Sequence, residues 1–195
     1  MLKRVLTGVE RWLNRKQANV TSGWVRRHDF EIDADLRRFT FCNVRIGEDI
    51  RSLSALGPPD ELVHGTHIWS ELGFTLRFSS DFRLTAFELI RGPRLMLRTQ
   101  TEIFKGNTYF NGDPVQLNTE SDYEVLSKLY GDPFLTHEGD DTALFYEFGD
   151  IEVVLCADST ENNVLALHTI IIQSPPILAD PKQSKWYGLS KPLAK

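Results

Sequence analysis

Two short apolar runs in this chain end the same way, in glycine followed by proline: Gly57-Pro58-Pro59 and Gly131-Asp132-Pro133. Glycine accepts the left-handed conformation that caps a helix and proline cannot continue one, so each triplet predicts a helix end. The preceding residues support this, with Ile50, Leu53 and Leu56 marking one stripe of a helix over 48–56. Tyr123, Leu126, Leu129 and Tyr130 mark the stripe of a second helix over 122–130. Beyond each stop, His67–Phe78 and Leu144–Leu155 share an order of aromatic, Glu, apolar and Gly that predicts two strands around a glycine turn. A third strand is expected at 84–90 and at 164–172. The fold class expected is therefore α+β, with two repeated units, each a helix plus a three-stranded antiparallel meander, at 41–90 and 118–173. A lone three-stranded sheet is marginal, so the two units are expected to share a sheet or core.

The flanks read differently. Residues 1–40 open with Leu2, Val5, Leu6, Val9, Trp12 and Leu13 at helical spacing, an amphipathic helix followed by a connector. Residues 91–117 are expected to be a structured strand linker in which Asn111-Gly112 makes a tight hairpin turn. Residues 174–195, with Pro175-Pro176, Pro181 and Pro192, are expected to run extended over the surface. The net charge of −5 is unevenly spread: residues 1–27 carry seven Lys/Arg against one Glu, and residues 118–163 carry twelve Asp/Glu against the single Lys128. The lack of a basic stripe beyond the N-terminal segment argues against nucleic acid as a partner. Apolar runs are too short to span a bilayer and the N-terminus does not read as a secretory signal, so the chain is expected in the cytoplasm. Two cysteines, Cys42 and Cys156, are too few for a disulfide framework and are expected as buried free thiols.

The segment SerAspTyrGluValLeuSerLysLeuTyrGlyAspPro at 121–133, followed by a loop, the aromatic-rich strand with Tyr146-Glu147 and two more strands, resembles the small module shared by SmpA/OmlA-type outer-membrane assembly lipoproteins and tandem-repeat β-lactamase inhibitor proteins. The chain lacks the lipidated cysteine of the first group and the paired disulfides of the second. The resemblance implies a non-enzymatic protein-binding scaffold and carries over no functional residue.

Reactive motifs are sparse. His64 and His67 are three apart in what reads as an exposed loop pair, and no third zinc ligand is evident beside them. His168 reads as a structural histidine in an apolar strand. The run His137-Glu138-Gly139-Asp140-Asp141 does not space its oxygens as a calcium loop does. No phosphate loop, nucleophile elbow or dinucleotide fingerprint is present. No catalytic residue, metal or cofactor is therefore assigned, and enzymatic activity is not expected. The function expected is a non-catalytic protein-binding module, of the immunity or inhibitor kind, that captures a basic protein through the acidic second unit. The residues assigned to the contact are Glu138, Asp140, Asp141, Glu147 and Asp150, with Tyr146 as an aromatic anchor. Two alternatives stand beside it: a small hydrolase or ligand-binding protein using a cleft between the two units, and a peripheral membrane adaptor held by residues 1–16.

Overall fold

Strands, not helices, organise the chain. The computed structural model describes residues 20–92, 94–96, 99–117, 122–138, 142–159 and 165–176. An eight-stranded antiparallel sheet is built from β4 (Glu61–Val63), β5 (Thr66–Trp69), β6 (Phe74–Phe78), β7 (Leu84–Ile90), β12 (Leu135–Glu138), β13 (Thr142–Phe148), β14 (Ile151–Ser159) and β15 (Leu165–Gln173). Its order is β12-β13-β14-β15-β7-β6-β5-β4, so two four-stranded meanders meet where β15 pairs with β7 from Thr169↔Ile90 to Gln173↔Ala86. A five-stranded sheet consists of β1 (Asp33–Asp35), β2 (Thr40–Phe41), β3 (Val44–Arg45), β10 (Asn107–Phe110) and β11 (Asp113–Pro114). Here β1 runs parallel to β10 and the other pairs are antiparallel. A separate hairpin joins β8 (Arg94–Met96) to β9 (Thr99–Thr101).

The core lies between the two sheets. Successive side chains of a strand point to opposite faces, so Phe74, Leu76 and Phe78 of β6, Phe87 and Leu89 of β7, and Ile170 and Ile172 of β15 all face inward. They pack on Leu36, Phe39, Phe41, Val44 and Ile46 from the small sheet and the segments flanking its strands. Phe41 sits at the centre, its ring 4.8 Å from Phe74 and 5.7 Å from Phe87. The α-helix α1 (Asp122–Tyr130) closes one end, where Leu126 is fully buried and the Asp122 carboxylate meets Arg91 at 3.1 Å.

The expected α+β class and its repeated helix-plus-meander unit are overturned: the protein is mainly β, with 47% of the described residues in strands. The reason lies at residues 47–50. The N–H groups of Gly47 and Ile50 donate to the carbonyls of Leu84 and Phe82, and Leu84 N–H donates to Glu48. These bonds hold the segment strand-like against the start of β7, and the Asp49 carboxylate takes the Arg51 N–H at 2.9 Å in a local turn. The chain then makes a six-residue 3₁₀ turn, Arg51–Leu56, in place of a helix over 48–56. Gly57 and Gly131, at φ +77° and +84°, do close their respective turns. Strands β2 and β3 form a hairpin folded at Cys42-Asn43, with both residues at positive φ. The Asn111-Gly112 turn forms as a tight hairpin between β10 and β11. The expected amphipathic helix at 2–16 and most of the proline-rich tail lie outside the described residues.

Candidate binding surface

The β6–β7 hairpin carries an unusual tip. Ser79 closes it: its N–H reaches Arg83 O at 2.9 Å, and its Oγ accepts the Arg83 N–H at 3.1 Å and donates to Asp81. Phe82, between them, is held at φ +62° with 47% of its surface exposed. A bulky aromatic residue at positive φ is strained by about 1–3 kcal/mol, and such strain persists only where the surroundings enforce it. Here they do, because the Phe82 carbonyl is tied to Ile50 N–H at 3.1 Å and its N–H to Ser79 O at 3.2 Å.

Beside this ring is a hollow of ≈ 360 Å³ lined by Val20, Trp24, Asp49, Ile50, Arg51, Asp81 and Phe82. Its apolar floor is anchored to the core through Trp24, whose ring stacks on Trp69 at 6.3 Å and meets Phe78 at 6.0 Å. Its rim is charged but internally paired, Asp49 with Arg51 at 2.7 Å and Asp81 with Arg83 at 3.1 Å. The hydrogen bonds from Arg51 hold the Asp49 carboxyl down to about 2, so the rim is fully ionised at neutral pH. Across Trp24 lies a second hollow of ≈ 470 Å³, walled by Pro58, Pro59, Asp60 and Leu62. An exposed aromatic residue over an apolar floor with a polar rim has the anatomy of a protein-docking point.

Of the residues assigned from the sequence, those described do not gather into one patch. Glu138 is exposed at the end of β12, opposite Thr142. Glu147 is exposed at the other end of β13, five residues and about 17 Å along the strand. Asp150 is exposed in the turn between β13 and β14. Asp140 and Asp141 lie outside the described residues. Tyr146 is 2% exposed, on the core face opposite to Glu147, with its ring 5.1 Å from Tyr130. Burial pushes its hydroxyl up to about 12, and the ring is not available as a surface anchor. Nor do His64 and His67 form an exposed pair: His64 is exposed in the β4–β5 turn, whereas His67 is fully buried in β5 with its ring 4.7 Å from Phe78. His168 is buried in β15, with Nδ1 2.8 Å from Thr169 Oγ1.

A polar row on the outer face of the large sheet was not anticipated. Glu152, Gln173, Ala86 and Arg77 stand side by side on β14, β15, β7 and β6. Gln173 Nε2 donates to the fully buried Glu152 at 2.9 Å, and Arg77 reaches over the small Ala86 to donate to Gln173 Oε1. Burial lowers the Arg77 pKa and the Glu88 carboxylate opposes the shift. The signal was available in strands whose outward positions carry Glu, Gln and Arg among apolar residues. The row spans four strands, its side-chain bonds joining β14, β15 and β6, and contains no nucleophile. The two meanders join through a hydrogen-bonded seam, β15 on β7. Among the described residues, no group of three His, Cys, Asp or Glu side chains is placed to hold a metal ion, and no helix is long and apolar enough to cross a membrane. Cys42 is buried and Cys156 partly so, and neither is in a disulfide.

No protein-family model matches the chain, and no curated protein does. Among solved structures it is similar to a DUF4309-family protein of Bacillus subtilis, at 12% identity and a TM-score of 0.44, over 86% of this chain and 99% of that one. It is also similar to a cysteine-rich secretory protein of Staphylococcus aureus, at 14% identity and a TM-score of 0.40, over 71% of this chain and 46% of that one. Likenesses of this degree carry no argument about function, and none shown is to the lipoprotein or inhibitor groups.

Proposed function

We propose that this protein is a non-catalytic protein-binding module whose docking point is Phe82 with the hollow beside it. The observation that carries the reading is Phe82 itself, an aromatic ring held at positive φ and presented to solvent on a hairpin braced by ion pairs. Backbone strain maintained to expose an apolar ring is expected at a binding site and has no use in packing. The partner that fits is a folded protein laying an apolar side chain onto the floor formed by Trp24 and Ile50, with polar groups of both signs meeting the rim. Glu138, Glu147 and Asp150 are exposed but dispersed, so their charge would speed the approach of a basic partner more than it would form the contact.

The test is parallel capture from native extract on the immobilised intact chain and on its Phe82→Asp variant, each at low and high salt. Proteins retained by the first and lost by the second, with equal melting temperatures for the two baits, are expected. The same proteins on both baits would sink the assignment of the docking point. Retention abolished by salt but indifferent to Phe82 would favour the dispersed carboxylates.

A further inference from the structure

We infer that the partner docking on Phe82 is a second copy of this chain, the two related by a twofold axis with the Phe82 ring of each seated in the hollow of the other. This rests on the reading of Phe82 as the docking point and names the partner for it.

Self-complementarity points to that partner. A contact with an unrelated protein requires a projecting ring or a receiving hollow. A twofold contact between identical chains requires both, side by side on one patch, because whatever one copy offers the other must accept. Both are present here. Phe82 projects from the β6–β7 tip with 47% of its surface exposed, and it is itself one wall of the ≈ 360 Å³ hollow floored by Trp24 and Ile50. A ring arriving from the second copy meets Trp24 and Phe82 together, and aromatic rings gain from such offset or edge contacts. The floor is already fixed, with Ile50 1% exposed and Trp24 stacked on Trp69. The backbone ties of Phe82 to Ile50 and Ser79 fix the ring's position before contact, so little order is lost on pairing.

Charge points the same way. The whole chain carries −5, so two copies repel each other over most of their surfaces. Around Phe82 the balance differs: Asp49 and Asp81 are matched by Arg51 and Arg83, each pair closed within its own copy, and the rim carries no net charge to oppose an identical rim. A strongly basic or acidic partner gains nothing from such a rim, whereas a copy of it is tolerated. Because both copies use the same patch, association closes at a dimer. An aromatic side chain presents roughly 200 Å², so exchanging two half-exposed rings covers little area, and the pair belongs to the weak, transient class of interface.

The test is sedimentation equilibrium of the intact chain, of Phe82→Asp and of Phe82→Asn, from about 10 µM to about 1 mM. The intact chain is expected to rise from 22.3 kDa toward twice that mass within the range. Both variants should need a concentration about tenfold higher or more for the same degree of pairing. Asn suits the positive φ of this position, so loss of pairing in that variant cannot be blamed on misfolding. Added salt should leave the pairing of the intact chain unchanged or tighten it, since the contact is apolar and the net charges repel. A single-chain mass across the whole range overturns the inference, as do pairing indifferent to both variants, growth beyond two chains, and pairing abolished by salt. If the intact chain stays single while Phe82→Asp still loses a different protein from capture, self-pairing fails and the docking point stands. If the chain pairs but neither pairing nor capture responds to Phe82, the docking point fails as well.

Discussion

The carboxylate of Asp35, 6% exposed at the end of β1, is predicted to be a principal tie between two turns of the small sheet. Its Oδ1 accepts the N–H groups of Arg37 at 3.0 Å, Arg38 at 2.9 Å and Asn111 at 3.0 Å, and its Oδ2 accepts Gly112 N–H at 2.7 Å. Arg38 Nε adds a charge contact at 3.6 Å. Asp35→Asn tests this tie with almost no change of shape. The amide oxygen can keep the three Oδ1 bonds, but the amide nitrogen then faces the Gly112 N–H, donor against donor, beside a guanidinium that has lost its anion. Hydrogen bonds to charged groups contribute about 1.5–3 kcal/mol each, so losing one and opposing a second donor should destabilise by about 2–4 kcal/mol. For a chain of this size that is a fall in Tm of roughly 5–15 °C. Asp35→Ala, which orphans all four N–H groups, should cost about 3–5 kcal/mol. Urea unfolding followed by circular dichroism measures both, with an unchanged m-value confirming that the same unfolding reaction is compared. If Asp35→Asn unfolds within about 0.5 kcal/mol of the parent, as an ordinary surface substitution would, the four-bond account is wrong.

Three other outcomes are expected from the geometry. Phe82→Asn, which suits positive φ, should leave stability unchanged or raise it by up to about 1 kcal/mol while removing the docking ring; destabilisation beyond about 1 kcal/mol in urea would show that Phe82 is held by packing. Arg91→Met or Asp122→Asn alone should destabilise by about 3–5 kcal/mol, because each leaves a buried charge unpaired, whereas Arg91→Met with Asp122→Leu should recover much of the loss; additive single effects would refute the pairing. Burial pushes the Cys42 thiol from 9.0 up to about 12, so the native state favours the protonated form. Stability from that site is full below pH 9 and declines as pH rises toward about 12, and Cys42 should resist thiol reagents at pH 8 until the chain unfolds; prompt native labelling at Cys42, located by peptide mapping, would contradict this.

Strand character was legible wherever one face is buried: alternation in Phe74-Thr75-Leu76-Arg77-Phe78 names both the strand and its inward side. The same rule separates Tyr146 from Glu147, since neighbours on a strand cannot share a face, and assigning both to one contact set that rule aside. The helix expected at 48–56 was not to be had from its stripe, because its start depends on hydrogen bonds to residues 82–84, more than thirty positions away. Cys42-Asn43 escaped notice because a tight hairpin is ordinarily announced by glycine, and here two side-chain-bearing residues adopt the positive φ. Phe82 left a trace, an aromatic residue inside Ser79-Ser80-Asp81-Phe82-Arg83, but its exposure depends on the ties at Ile50 and Ser79, which composition does not contain. The dispersal of the carboxylates is likewise a matter of strand length and turn position, which a count of charges cannot reveal.

The pairing of β7 with β15 has a consequence for how the protein is made. The first meander, β4 to β7, is complete in sequence by Ile90, but the strand that flanks β7 ends at Gln173. At bacterial or eukaryotic elongation rates, the intervening eighty-odd residues take roughly 4–16 s to emerge from the ribosome. During that interval the outer backbone of Leu84–Ile90 is an unpaired template beside Phe87 and Leu89, open to any other extended chain nearby. The nascent chain should therefore depend on holdase chaperones most strongly between the synthesis of residue 90 and that of residue 173, and that dependence should cease once β15 docks.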